Sequence, residues 1–351
     1  MEKIKSRTAL YMSLLFLQLC VMNNIVYAGR DMTEQDLRIP VLLFQEHKQG
    51  AGSGFFFGDA KSNKYFLITA KHVLFQSTDV RLSEFPPGLK ISKKILFRLS
   101  YDKKGKILSF FGVMSNDEKK ELFNAASGNE LFKNAVEAIH EKSQQQVLID
   151  DTVVLSFYRG DNKVGELQLQ LAKLLKDGQI QSHPSSDVAL VHIGDVVAQG
   201  DKGQIDFVDG VEEVEEAEKV NIVGVPSSGV KTFNDIFIGN SIFTFGYPVS
   251  VTQANPALNI KVPLLRKGLV AGKNDDLRLI ILDCPSHRGD SGGLVIEVED
   301  VFPTVKLRAI GVMTDIILTD DLTKAENSGF SVAVPMDDVL EMVKDWNASK
   351  K

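Results

Sequence analysis

The run Gly289-Asp290-Ser291-Gly292-Gly293, set between the apolar stretches Leu279 to Leu282 and Leu294 to Ile296, presents a serine on a turn that glycine permits. A hydroxyl so placed approaches a carbonyl carbon without neighbouring bulk, and the amides of Gly289 and Ser291 can converge on the oxygen that becomes negative. That is acyl-transfer chemistry, and it needs a base, because a serine hydroxyl is a weak nucleophile near neutral pH. Six histidines are available. His72 directly follows the apolar run in Leu67-Ile68-Thr69-Ala70-Lys71, whereas His47, His140, His183, His192 and His287 have no distinctive context. The imidazole in turn needs a carboxylate to fix its tautomer. Asp187, just ahead of Val188-Ala189-Leu190-Val191, is placed for partial burial, which makes sense only if it is paired. Each motif alone also has an ordinary reading: a glycine turn, a surface histidine, an aspartate capping a strand or turn.

The elements that would position these residues are short strands. Ile39 to Glu46, Phe55 to Phe57 and Tyr65 to Thr69 are punctuated by Gly50-Ala51-Gly52-Ser53-Gly54. The texture returns at Ile242 to Phe245, Gly268 to Ala271, Leu277 to Leu282, Leu294 to Val298, Arg308 to Met313 and Phe330 to Val334. Between these regions the pattern is helical: Ser115 and Glu118 form a capping box, Leu131, Ala135 and Ile139 recur every four residues, and Gly128 separates two helices. Such a pair either packs its apolar stripe onto a barrel or binds a partner. A last helix after Pro335 places Val339, Met342, Val343 and Trp346 on one face, to dock against a barrel. The acidic stretch Asp201 to Lys219, with Glu212, Glu213, Glu215 and Glu216, reads as a solvated loop or hairpin.

Taken in order, Gly52-Ser53-Gly54-Phe55, Thr69-Ala70-Lys71-His72-Val73, Asp187-Val188-Ala189-Leu190, Gly246-Tyr247-Pro248 and Gly289-Asp290-Ser291-Gly292-Gly293 resemble the trypsin-like serine peptidases, most nearly the disulfide-free bacterial type of the HtrA protease domain. The resemblance covers roughly residues 38 to 75 and 182 to 346. It implies a mainly β, chymotrypsin-like fold of two six-stranded antiparallel barrels, here with a helical insertion and a C-terminal helix. It implies His72 as general base, Asp187 as its orienting partner, Ser291 as nucleophile, and the amides of Gly289 and Ser291 as the oxyanion hole. It also places the substrate-binding strand at Gly311-Val312-Met313-Thr314 and pocket walls at Pro285, Ser286, Thr314 and Ile316. None of these walls is an acid that would favour Arg or Lys. Ile316 would favour small or medium aliphatic side chains, and His287 would instead favour an acidic one.

Two departures stand out. His72 and Asp187 are 115 positions apart, so a segment of about 113 to 145 reads as inserted, to cover or frame the cleft. Nothing resembles the activation terminus of digestive zymogens, which leaves the partner of Asp290 open. A PDZ-like domain is not expected after the last helix. An active endopeptidase, a partner-activated enzyme whose cleft the insertion closes, and a catalytically silent binding module on the same fold remain the alternatives.

Composition sets the class. With 44% hydrophobic and 25% charged residues in 351, the chain has material for a sizeable core. Lys3, Lys5 and Arg7 precede the apolar run Ala9 to Met22 and a small-residue site at Val26-Tyr27-Ala28, the pattern of an export signal cleaved after Ala28. A retained anchor and lipidation at Cys20 are the alternatives. Residues 29–351 would then form the peptidase domain of a periplasmic or secreted protein with no stable membrane insertion. Losing residues 1–28 leaves 37 basic and 45 acidic residues, a formal charge of −8, which disfavours nucleic acid as a partner and leaves polypeptide substrate as the expected one. Cys284 would remain as a single thiol, unable to form an intramolecular disulfide. No zinc-helix spacing follows His140-Glu141 and no nucleotide loop occurs, so no cofactor and no metal are expected.

Overall fold

The computed structural model describes residues 39–350 except 46–49, 83–85, 87, 103–106, 127, 160–161, 200–201, 215–221, 256, 260–261, 302–303 and 321–324. Residues 1–28, where an export signal is expected from the sequence, lie outside the described residues, as do Glu215 and Glu216 of the acidic stretch. Glu212 and Glu213 form the end of a short strand.

The N-terminal half begins as an antiparallel meander of β1 (Pro40–Gln45), β2 (Gly50–Asp59) and β3 (Lys64–Thr69). The glycine-rich stretch expected as a turn is part of β2. Side-chain bulk is excluded there: a Cβ on Gly52 would lie 2.6 Å from Val73 Cγ1, so only glycine lets the strand pass beneath the residue after His72. Helix α1 (Lys71–Leu74) follows at once. The half is completed by β7 (Thr152–Arg159), β8 (Asn162–Gln170), helix α5 (Leu171–Lys176), β9 (Ile180–Ser182), β10 (Ala189–Gln199), β11 (Lys202–Phe207), β12 (Val211–Glu213) and β13 (Gly224–Pro226). Its strand order is β11-β10-β3-β2-β1-β7-β8-β12, with β9 on β10 and β13 parallel to β2. Leu43, Leu67, Leu155, Leu167 and Val191 come from strands along this path yet share one core, so the sheet wraps around it.

The C-terminal half is a closed six-stranded barrel, β14-β15-β16-β19-β18-β17. Its strands are β14 (Ser241–Gly246), β15 (Leu264–Asn274), β16 (Leu279–Asp283), β17 (Leu294–Val301), β18 (Thr304–Asp320) and β19 (Ala325–Pro335). Helix α6 (Val249–Ala254) follows β14. Ile242, Val270, Ile280, Leu282, Val295 and Ile310 fill the barrel. The mainly β, chymotrypsin-like fold is therefore present. It differs from the expected pair of six-stranded barrels in its N-terminal half, a ten-stranded sheet wrapped into a half-barrel.

Between α1 and β7 the chain builds a small body of its own. A three-stranded sheet, β4 (Thr78–Arg81), β6 (Ile107–Phe110) and β5 (Leu99–Asp102), stands with α2 (Lys93–Arg98), α3 (Asn116–Ala125) and α4 (Glu130–Ser143). Leu108, Phe110, Leu122, Phe132, Val136 and Ile139 share a core distinct from those of the two larger halves. The helices lie within the stretch 113 to 145, while the sheet and α2 were not evident from the sequence. The capping box is formed: Ser115 Oγ accepts from Glu118 N at 3.2 Å, and Glu118 Oε2 accepts from Ser115 N at 2.8 Å.

Helix α7 (Met336–Ser349) buries Val339, Met342, Val343 and Trp346, as its periodicity required. Trp346 packs edge-on to Phe66 of β3, ring centroids 5.5 Å apart, and lies 4.4 Å from the His192 ring of β10. Burying each such large apolar side chain contributes about 1.5–3 kcal/mol. The helix thereby straps the C-terminal barrel's last strand to the N-terminal sheet.

Candidate active site

Three local structures bring the sequence-predicted residues to one cavity of about 860 Å³, lined by His72, Asp187, Gly289, Ser291 and Thr314 among others. His72 stands in the single turn of α1, immediately beyond β3. Asp187 closes the short loop between β9 and β10. Its Oδ2 lies 2.6 Å from His72 Nδ1, and its Oδ1 accepts from the His72 amide at 3.0 Å. One carboxylate thus fixes both the backbone and the ring of the same histidine, leaving Nε2 for the cavity. Burial pulls the His72 imidazole down, but the charge and hydrogen bond of Asp187, with the charge of Asp315, outweigh it and hold the pKa above its ordinary value. The side chain keeps 37% of its surface exposed, enough to meet a substrate.

Ser291 sits on a turn gripped from both halves. Ser53 of β2 donates its amide to Ser291 O at 2.8 Å and its hydroxyl to Gly289 O at 2.7 Å, and its Oγ accepts the Tyr247 amide at 2.8 Å. Gly292 has φ +88, and a Cβ there would lie 1.9 Å from Ser53 O, so this position admits only glycine. The amides of Gly289 and Ser291 make no hydrogen bond among the described residues, which leaves two donors free at the turn. The Ser291 hydroxyl donates to Thr314 O at 3.5 Å rather than to His72.

Asp290 faces inward, 1% exposed, and Arg266 of β15 supplies the partner left open by the sequence: its Nη2 lies 2.7 Å from Asp290 Oδ2. The same oxygen accepts from the His287 amide at 2.6 Å. An internal cation is thereby the charge partner of this aspartate. Nothing in the spacing of Arg266 marked it, because strand pairing alone brings β15 to the turn.

The expected pocket walls are brought together only in part. Thr314 lines the cavity through its backbone side, its Oγ1 donating to Val332 O at 3.4 Å. Pro285 is exposed, and Ser286 is buried beneath the turn with Oγ 3.5 Å from Asp290 Oδ2, so neither lines the cavity. Ile316 continues β18, paired with Ser331, and its side chain lies outside the described residues. His287 does line the cavity, as do Phe97 and Phe111 from the small body, which the sequence did not single out.

His183, which has no distinctive context in the sequence, is buried and organises the Asp187 loop. Its Nδ1 accepts from the amides of Ser186 at 3.0 Å and Ser185 at 3.3 Å, so this nitrogen carries no proton. Burial holds its pKa down despite the charges of Asp338 and Glu341. Among the described residues no three His, Cys, Asp or Glu side chains gather as metal ligands, and no helix is long and apolar enough to cross a membrane.

No protein-family model and no curated protein matches this sequence. Solved structures similar to it include an HtrA-type protease, AlgW, with a tripeptide (12% identity, TM-score 0.39, 88% of this chain covered). A serine endoprotease from Yersinia pestis matches at 10% identity and TM-score 0.41, covering 90% of this chain and 67% of its own. The thermostable serine protease AL20, from an extremophilic microorganism, matches at 10% identity and TM-score 0.44, covering 88% of this chain and 95% of its own. The chain spans 60% of the length of the HtrA-type protease. At this distance the fold assignment stands on the chain's own barrel and strand order.

Proposed function

We propose that this protease-fold protein is a serine endopeptidase in which His72, Asp187 and Ser291 act as the catalytic triad. The observation that carries the reading is the 2.6 Å contact of His72 Nδ1 with Asp187 on a cavity that also holds Ser291 and the two free amides of its turn. In this mechanism a peptide carbonyl enters the cavity and its oxygen takes the amides of Gly289 and Ser291. The Ser291 hydroxyl rotates from Thr314 O to His72 Nε2, gives up its proton there, and attacks the carbonyl carbon. The C–O bond forms as the carbonyl π pair moves to the oxygen, and each amide donor at the oxyanion supplies about 2.7–4 kcal/mol. The imidazolium, steadied by Asp187, then protonates the leaving amine as the C–N bond breaks. Water repeats the sequence on the acyl-enzyme.

The N-terminal pattern supports export with cleavage after Ala28, and N-terminal sequencing of the exported protein should begin at Gly29. The acidic balance of the remaining chain supports a polypeptide rather than a nucleic-acid partner. His287 on the cavity supports an acidic side chain at the primary pocket, against the small or medium aliphatic one that the sequence at Ile316 leads one to expect; sequencing of cleavage sites decides between them.

The test is casein cleavage by the protein from Gly29 beside Ser291→Ala at confirmed folding, with fluorophosphonate labelling in parallel. Cleavage and labelling lost only in the variant are expected. A folded wild type that neither cleaves nor labels defeats the reading in favour of a silent binding module. The missing Ser291–His72 hydrogen bond favours one further reading, a partner-activated enzyme, which predicts labelling that rises when a partner is added.

A further inference from the structure

The loop 183–187 that carries Asp187 has little backbone structure of its own. Within it and its flanks, His183 N donates to Val188 O and Lys71 N donates to Asp187 O, at 2.9 and 3.2 Å. Pro184 has no amide to give. Two of the loop's carbonyls are held instead by cations from outside. Lys71 Nζ, buried beside His72, donates to His183 O. Arg98, at the end of α2 in the small body, donates through Nη2 to Pro184 O at 3.0 Å.

Arg98 is itself fixed on every side. Nε donates to Phe111 O at 3.2 Å, Nη2 also to Val113 O at 2.6 Å, and Nη1 to Glu118 Oε1. The Phe110 ring lies under the guanidinium, 4.7 Å from centroid to Cζ. Glu118 is the residue whose other oxygen closes the capping box of α3. A planar donor fork with four of its five N–H directions committed is a rigid strut, unlike a surface arginine. Among the described residues, the strut's far end is Pro184, three positions before the carboxylate that orients the imidazole.

We infer that Arg98, braced by Glu118, is a positioning residue for the catalytic centre: the body inserted after His72 holds Asp187 in register with the imidazole rather than acting as a detachable cover. The inference rests on the triad reading for its kinetic consequence, but its geometric content is independent of turnover. Removing the strut frees Pro184 O and lets the loop drift, and Asp187 then makes a longer contact with Nδ1. Ångström-scale misplacement in such a contact costs up to about 10²-fold in rate.

The test titrates the His72 imidazole by NMR in wild type and in Arg98→Met, and follows peptide cleavage in both. Besides Asp187, the charge that acts on His72 is Asp315 from β18; Lys71, Lys94, His183, Asp276, Arg278, His287, Arg288, Asp338 and Glu341 line the same cavity and are kept in the variant, while loss of the Arg98 cation would by itself raise the imidazole rather than lower it. The expected result is an imidazole pKa lowered toward its ordinary value, with kcat reduced about 10-fold or more and KM within about 2-fold. Arg98→Lys, which keeps the charge but not the fork, should shift the titration less. A folded Arg98→Met with an unmoved titration overturns the inference, and if that variant does not fold, Arg98→Lys decides by the same reading. A wild type that neither cleaves nor labels at Ser291 defeats the protease reading, while the titration still decides this one.

Discussion

The turn of Ser291 and the loop of Asp187 reach the same cavity by opposite means. The turn is held close to its own backbone, by the Ser53 amide and hydroxyl at 2.8 and 2.7 Å and by Gly292 N donating to Met313 O at 2.7 Å, with no room at Gly292 for a Cβ. The loop is held at arm's length by long side chains, Lys71 and Arg98, and by the ring of His183. Short-range contacts permit almost one geometry, because small residues have few rotamers to lose. Long cations permit several unless each is pinned, and the Arg98–Glu118 pair does the pinning. The first arrangement fails by steric exclusion and the second by loss of charge, so the two should answer differently to substitution.

The largest effect is expected at their meeting point. Asp187→Asn keeps the shape but supplies an amide where Nδ1–H needs an acceptor, and kcat should fall by about 10⁴-fold. Without the carboxylate's charge the burial of His72 is no longer outweighed, so its pKa drops. The base then stays neutral to lower pH, and the acid limb of kcat/KM moves to lower pH than in wild type. An acid limb that stays in place would mean that it belongs to another group.

Next comes Glu118→Ala. It strands Arg98 where its side chain is 8% exposed, and breaking such a buried pair from one side costs about 3–5 kcal/mol. Urea unfolding reads that loss. The folded fraction should also show a lowered His72 titration, as for Arg98→Met, and the rate of fluorophosphonate reaction should fall with kcat even at pH well above the titration, because the misplaced Asp187 is not restored by deprotonation.

Ser53→Ala is the converse. It removes the hydroxyl that accepts from the Tyr247 amide and donates to Gly289 O, about 1–3 kcal/mol in stability. On the proposed mechanism the consequence falls on Gly289 and Ser291 as oxyanion donors, so kcat should drop while the His72 titration stays put. If Ser53→Ala moves the imidazole as far as Glu118→Ala does, the two regions are not separately held and the contrast fails.

The same difference decides what could be read from the sequence. The Ser291 turn was legible because close approach demands glycine, and glycine at 289, 292 and 293 leaves a pattern. His72 and Asp187 were legible because each adjoins an apolar strand. Arg266 was not, since its meeting with Asp290 arises from barrel closure and any strand could carry it. Arg98 was hidden more deeply: Lys93-Lys94-Ile95-Leu96-Phe97-Arg98 has the charge of a solvated helix, yet the guanidinium is held by Phe110 of β6, the carbonyls of Phe111 and Val113, and Glu118 of α3. The four-residue strands β4 to β6 are too short for alternation to register. His183 lacked context because its partners are backbone amides, which leave no trace in residue identity. The half-barrel differs from expectation for a similar reason: β12 and β13 pair with strands far away in sequence.

The smallest effect isolates the strut from the body that bears it. In Ser115→Ala the amide at 115 still donates to Glu118 Oε2, and Glu118 still holds Arg98, while the hydroxyl that capped α3 is gone. Loss of an N-cap hydroxyl costs about 1 kcal/mol. That loss should appear as an earlier unfolding midpoint in urea with the slope unchanged, since the surface exposed on unfolding is the same. The His72 titration and the labelling rate of Ser291 should both match wild type, because neither Arg98 nor its carboxylate has moved. A titration displaced as in Glu118→Ala would show that the firmness of the whole small body, and not the Arg98–Glu118 contact alone, keeps Asp187 against the imidazole.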